Sequence, residues 1–341
     1  MNQFVPAGHP PIKPRKIGVL LLNLGTPDAT DYWSVRRYLK EFLSDRRVIE
    51  APRWLWWPIL NGIILSTRPQ KTGANYERIW DKERNESPLR VITRAQADKL
   101  QAAFSADENV IVDYAMRYGN PSTRSGIEKL KDAGCDRILL FPLYPQYSAT
   151  TTATANDKAF DTLKTLRWQP AVRTVPAYFD DPAYTAALAK SITDGIAKLD
   201  FAPDLVITSY HGMPKSYLEK GDPYHCQCVK TTRLVREYLG WSEDRIMVTF
   251  QSRFGRAEWL QPYTDETLKA LPGKGIKKVA ILAPAFSADC IETLEEIAIT
   301  GEEEFMGAGG KRYAYIPCLN DSPEGMGMIE TVVRRELAGW L

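Results

Sequence analysis

At 341 residues, with 44% apolar and 25% charged side chains, the chain has room for two ordinary domains and has the composition of a globular protein, not of a disordered or fibrous one. A formal net charge of +2 provides no basic surplus for a nucleic-acid partner. Five scattered cysteines (Cys135, Cys226, Cys228, Cys290, Cys318) do not space out as a disulfide framework and fit a reducing, cytoplasmic compartment.

Residues 1–15 are Pro-rich, lack the apolar core of a signal peptide, and are expected to be a flexible tail. A strand is expected over 17–22, ending in NLGTP, and a helix over 31–43. Residues 45–91 then read as an insertion. Its run from Trp54 to Leu65 is short of the roughly 20 residues that span a bilayer and is interrupted by Pro58, Asn61 and Gly62. With Arg53 before it and Arg68 after it, the run suits a peripheral lip on the inner face of the cytoplasmic membrane or a pocket rim; ordinary core packing is the alternative.

Further strands are expected over 110–114, 138–141, 173–176, 205–208, 246–249, 279–282 and 313–316. Helices are expected over 94–104, 122–133, 182–198, 228–239, 291–305 and 325–337. Short apolar strands alternating with helices predict an α/β protein with parallel sheets covered on both faces. A faint repeat sharpens this. NLGTP matches YHGMP at 210–214, MRYG at 116–119 matches SRFG at 252–255, and FPLY at 141–144 matches APAF at 283–286. The shared order predicts two similar doubly wound, Rossmann-like domains, over 16–172 and 173–341. Leu24 stands in the first half where His211 stands in the second.

His211 follows an apolar strand, and carboxyl ends of strands are where open α/β sheets bind ligands. If a helix starts near Asp289, then Asp289, Glu292 and Glu296 (i, i+3, i+7) share one face, and Glu295 projects to one side. An imidazole near a row of carboxylates suits proton or cation traffic, with His211 and these acids, Glu292 among them, the candidate metal contacts. The alternative is a satisfied core histidine and a solvated helix face, with Asp289 and Glu292 forming a D-x-x-E capping box. His225-Cys226-Gln227-Cys228 has metal-like composition but no second pair to complete a site. Phosphate-loop, dinucleotide and Ser-hydrolase motifs do not occur.

The chain resembles the ferrochelatases, which insert ferrous iron into a porphyrin in the last step of protohaem synthesis. The resemblance runs from about Lys16 to Leu337. It rests on VLLLNLGTP, YERIW with ESPL, MRYGNPS, FPLYPQYSATTTAT, SYHGMP, KGDPY, TFQSRFGRAEWLQPYTDETL and PAFSADCIETLEEI in that order. It implies two Rossmann-like domains around a porphyrin cleft, with His211 the essential histidine, Glu292 its acidic partner, and Asp289 and Glu296 extending the acidic line. It further implies porphyrin binding by Tyr76, Ser87 and Arg68, and a pocket lined by Leu24, Arg117, Tyr118 and Trp259. The implied partners are protoporphyrin IX and ferrous iron as substrate. Relatives with a [2Fe–2S] cluster carry a cysteine where Ala149 stands and have a C-terminal extension; this chain stops at Leu341, so no cluster is expected. Cys290 stands where many relatives have a second histidine. A chelatase for another metal or for coproporphyrin, and a porphyrin carrier that inserts nothing, are the rival readings.

Overall fold

The eight apolar runs become eight parallel strands in the computed structural model, which describes residues 6, 8–10, 13–255 and 257–341. Of the expected tail, residues 1–5, 7, 11 and 12 lie outside the described residues. Strands β1 (Lys16–Thr26), β2 (Val110–Gly119), β3 (Cys135–Pro142) and β4 (Ala171–Thr174) form one sheet in the order β2-β1-β3-β4. Strands β5 (Leu205–His211), β6 (Ile246–Gln251), β7 (Lys278–Leu282) and β8 (Arg312–Tyr315) form a second in the matching order β6-β5-β7-β8. Every pairing is parallel.

Parallel sheets carry helices on both faces, so their central strands are apolar throughout. Val19, Leu20, Leu21 and Leu22 in β1, and Val206 and Ile207 in β5, have no exposed surface. Alternation divides them: Leu20 and Leu22 pack with Ile127 and Ala155, whereas Val19 and Leu21 join a core that also holds Val206 and Ala280 of the second sheet. Helices Pro182–Ala197 and Pro323–Glu336 contribute Leu188, Ile192, Val332 and Val333 to that shared core. At about 1.5–3 kcal/mol for each fully buried aliphatic side chain, this joint core holds the two sheets as one body. A boundary at 172/173 falls inside β4, which pairs with β3 as the edge of the first sheet.

The repeat holds in topology and slips in detail. Val19 pairs with Val112 and Leu139, and its counterpart Val206 pairs with Ile246 and Ala280. Counting five residues on, Arg117 corresponds to Gln251, two residues before the Arg253 that the motif match supplies. Local similarity of R-[YF]-G outweighed register in that match.

Helices Thr154–Lys164 and Thr264–Ala270 form where none is expected, and two further departures bear on the site. Residues 53–79 are helical: Arg53–Pro58, a π-helical turn Ile59–Ile64, then Leu65–Ile79. The helix expected over 291–305 is α only at Ile291–Thr293 and Glu302–Gly307, with a π-helix, Leu294–Gly301, between them. Its N-cap is Cys290, in a reciprocal capping box with Thr293, so the D-x-x-E box expected of Asp289 and Glu292 does not form. Asp289 sits one residue too early to cap.

Candidate active site

The carboxyl ends of β1 and β5 meet a cleft of about 630 Å³ whose lining is chiefly apolar. Leu24 from β1 and His211 from β5 both line it. Each precedes a glycine. A Cβ on Gly25 (φ +112°) would come 1.8 Å from the Tyr118 carbonyl oxygen, and one on Gly212 would come 2.6 Å from that of Gln251. Glycine at these points lets the chain leave the strand against its neighbour and present the preceding side chain to the cleft.

His211 is half-buried, and its Nδ1 lies 2.7 Å from the Gly212 carbonyl oxygen. A carbonyl only accepts, so this contact places a proton on Nδ1 and turns the ring's other nitrogen, Nε2, to any further partner.

Opposite it, Glu292, Glu295 and Glu296 all line the cleft. Glu296 accepts from the Ser252 N–H and from Ser252 Oγ, both at 2.6 Å. Ser252 follows β6 in a left-handed conformation (φ +64°), which is uncommon for a side-chain-bearing residue. Gln251 just before it donates to the Glu292 carbonyl at 2.8 Å and accepts from Ser209 Oγ at 2.7 Å, joining β5, β6 and the acidic segment. Burial pushes the Glu296 carboxyl above its ordinary range and the nearby Glu292 adds to that; the Ser252 bonds and His211 hold it partly down. Glu295 is paired with Arg78 at 2.7 Å.

Asp289 is placed apart from this wall. Its carboxylate is buried and accepts from Tyr315 OH (2.5 Å), Asn320 Nδ2 (2.6 Å) and Thr293 Oγ1 (2.9 Å). A strict α-helix from 289 would have aligned it with Glu296. The later start at Ile291 and the π-helix instead bring Glu292 and Glu296, four apart, to the cleft.

The remaining expected residues divide between the wall and its backing. Trp259 lines the cleft, is 5% exposed, and has a buried indole N–H with no acceptor among the described residues. Phe254 lies against it, ring centroids 4.8 Å apart, and Arg68 stands 5.7 Å from the Phe254 ring. Arg68 and Lys71 line the cleft one helical turn apart and are exposed. Tyr118 packs with Leu24 from behind and donates to Asp45 at 2.8 Å. Arg117 pairs with the same Asp45 and donates to Thr154 Oγ1 at 2.7 Å. Burial pushes the Asp45 carboxyl up, but the Thr154, Arg47 and Tyr118 hydrogen bonds and the Arg117 charge outweigh it and leave it low. Tyr76 and Ser87 are buried, and neither belongs to the cleft lining.

Ser252, Gln251, Lys71 and the Arg78–Glu295 pair were not singled out in the sequence. Lys71, three residues after Arg68, was findable from helical spacing had 65–79 been read as a helix. Ser252 was not, because nothing local announces a left-handed serine. Among the described residues, no three His, Cys, Asp or Glu side chains are grouped to hold a metal ion.

Comparison with known proteins identifies the family and the fold. The family model described as Ferrochelatase matches residues 16–337. The chain is 62% identical over 333 residues to "Ferrochelatase" of Rhizobium meliloti (strain 1021), covering 98% of each. It is 60% identical over 337 residues to "Ferrochelatase" of Agrobacterium fabrum, covering 99% of this chain and 98% of that one. In fold it is similar to "SirB from Bacillus subtilis with Fe3+", with a TM-score of 0.55 at 11% identity over 94% of this chain and 95% of that one.

Proposed function

The chain belongs to the ferrochelatase family, and from that premise we propose how its cleft carries out the reaction. The enzyme is a metal-insertion lyase: ferrous iron, a substrate, enters protoporphyrin IX and two pyrrole protons leave. A flat macrocycle holds its nitrogens poorly for a metal arriving from outside the plane, so binding a bent ring moves the substrate toward the transition state. Leu24, Trp259 and Phe254 are apolar contacts suited to grip the ring. Tyr118 and the Arg117–Asp45–Thr154 cluster stiffen the wall behind Leu24, and the buried Tyr76 and Ser87 act from outside the cleft lining. Arg68 and Lys71, exposed at the rim, suit the propionates.

The observation that carries the reading is His211, its Nδ1 held by the Gly212 carbonyl, bordering one cleft with a buried Glu296 whose carboxyl burial pushes up. With Nδ1 engaged, Nε2 accepts a pyrrole proton or contacts the incoming iron. Glu292 and Glu296 continue the line. Asp289, saturated by three side-chain donors, holds the segment's entry and takes no part in transfer. The deciding experiment is anaerobic incubation with protoporphyrin and Fe²⁺, following the visible bands of the free base as they give way to the metalloporphyrin pattern. Tight porphyrin binding with an unchanged free-base spectrum would make the protein a carrier instead.

The exposed apolar face fits peripheral membrane contact. Trp54 (79%), Ile63 (60%), Trp57 (49%) and Leu55 (47%) are open to solvent on the segment that leads to Arg68, whereas Trp56 is tied to the Leu43 carbonyl at 2.8 Å. Among the described residues no helix is long and apolar enough to cross a membrane. Trp54→Ser/Trp57→Ser should reduce co-sedimentation with anionic liposomes, and equal partitioning refutes the attachment. We also propose that no [2Fe–2S] cluster is bound, since Ala149 cannot ligate one; cluster-level iron and acid-labile sulfide in the purified protein would show otherwise.

A further inference from the structure

We propose that Arg78 is a positioning residue that withdraws Glu295 from the acidic wall, leaving Glu292 and Glu296 as its working pair; this rests on the reading of that wall as a route for iron or protons. Glu292, Glu295 and Glu296 all border the cleft, yet they are held differently. Glu296 is held by Ser252, a neutral donor that brings no opposing charge to it. Glu295 Oε1 receives Arg78 Nη1 at 2.7 Å and Thr300 Oγ1 at 3.3 Å, and its side chain is 11% exposed. The other Arg78 nitrogen, Nη2, reaches Glu303 Oε1 at 3.0 Å, in the helix Glu302–Gly307 that resumes after the π-helix. One guanidinium therefore clamps the π segment at Glu295 and just beyond its end. A planar fork whose charge does not titrate suits that task, and a lysine would satisfy one partner only.

Arg78 lies on the helix Leu65–Ile79, which also carries Arg68 and Lys71 to the cleft rim. The clamp thus ties the acidic segment to the element that presents the rim. Its chemical consequence concerns dwell time. As held, the three carboxylates are not grouped to bind a metal ion; Glu295 released from Arg78 and brought to the other two would make an oxygen-rich site that retains a hard or borderline divalent cation longer than two carboxylates do. Neutralising the middle one keeps the wall attractive without making it a trap.

The test reads Zn²⁺ binding to chelator-treated, porphyrin-free protein by calorimetry, with turnover and porphyrin affinity measured in parallel. Arg78→Ala should bind Zn²⁺ tighter by roughly tenfold or more, with KM for metal and kcat both falling and porphyrin affinity unchanged. Adding Glu295→Gln should return Zn²⁺ affinity to the wild-type level, and Arg78→Lys should fall between. Should Arg78→Ala fail to fold, Arg78→Gln keeps a donor without the charge and carries the same expectation. Unchanged Zn²⁺ affinity in a folded Arg78 variant overturns the proposal, as does tightening that Glu295→Gln does not reverse. The isotherms need no turnover. A wild-type protein that inserts no metal would therefore defeat the functional reading while these variants still decide the role of Arg78.

Discussion

The carboxyl ends of β1 and β5 occupy equivalent places in sheets of matching strand order, and each runs into a glycine that cannot carry a side chain. Before the glycine stands Leu24 in one half and His211 in the other, and both side chains border one cleft. The first half adds apolar surface and guanidinium charge, backed by the buried Arg117–Asp45–Tyr118 cluster. The second adds an imidazole anchored through Nδ1 and two carboxylates on an irregular helix. On the function proposed above, one backbone plan serves twice, once to hold the porphyrin and once to act on it. Fold does not determine which; the side chains at a few strand ends do.

The most direct way to break this contrast is to make the second half copy the first. His211→Leu places at β5 the residue that β1 carries. Porphyrin affinity, measured by fluorescence quenching, should change little, since an apolar wall remains. Insertion should fall by about 10²–10⁴, the range for losing a general acid–base group. Turnover within a few-fold of wild type would remove His211 from the chemistry and leave the halves functionally alike.

A second contrast lies within the acidic segment, between a carboxylate saturated by donors and one left partly free. Asp289→Asn keeps the shape but removes the charge that accepts from Tyr315, Asn320 and Thr293, leaving buried donors facing an amide. A stability loss of about 2–4 kcal/mol is expected in chemical denaturation, with kcat of the surviving folded enzyme nearly intact. A large loss of kcat without loss of stability would return Asp289 to the proton or metal line.

The divide between what the sequence announced and what it withheld follows the same contrast. All eight strands were legible, because strands buried on both faces must be apolar and because turn residues bound them. His211 and Leu24 were legible from their place at strand ends. The acidic residues were legible as a group but not in alignment, since α-helical spacing was applied to a segment that is π-helical from Leu294 to Gly301. Composition marks no π-helix, so α-helical spacing puts Asp289 on a face it does not share and turns Glu295 to one side. The helix over 65–79 was obscured by Pro69 and Gly73, and with it went Lys71 and Arg78. Gly73 is there because a Cβ would lie 2.4 Å from the Thr30 carbonyl oxygen, a tertiary reason that no local pattern reveals.

Glu296 sharpens the second contrast at the smallest amplitude. Its carboxyl is raised above the ordinary value of 4.5, by burial first, so the folded protein holds that proton more tightly than the unfolded chain does. A raised carboxyl contributes stability that is fully present below the unfolded value and is lost as pH rises through the folded one. Glu296→Gln removes the titration while its amide can still bond both Ser252 groups. The variant should therefore match or slightly trail the wild type near pH 4 and become the more stable of the two toward pH 7, in thermal melts run with a chelator present. Its kcat should fall, though less than that of Glu292→Gln, which lies nearer the start of the segment. A stability difference that stays constant from pH 4 to 8 would mean that Glu296 is as settled in its site as Asp289, and the wall would then lack a residue poised to pass a proton.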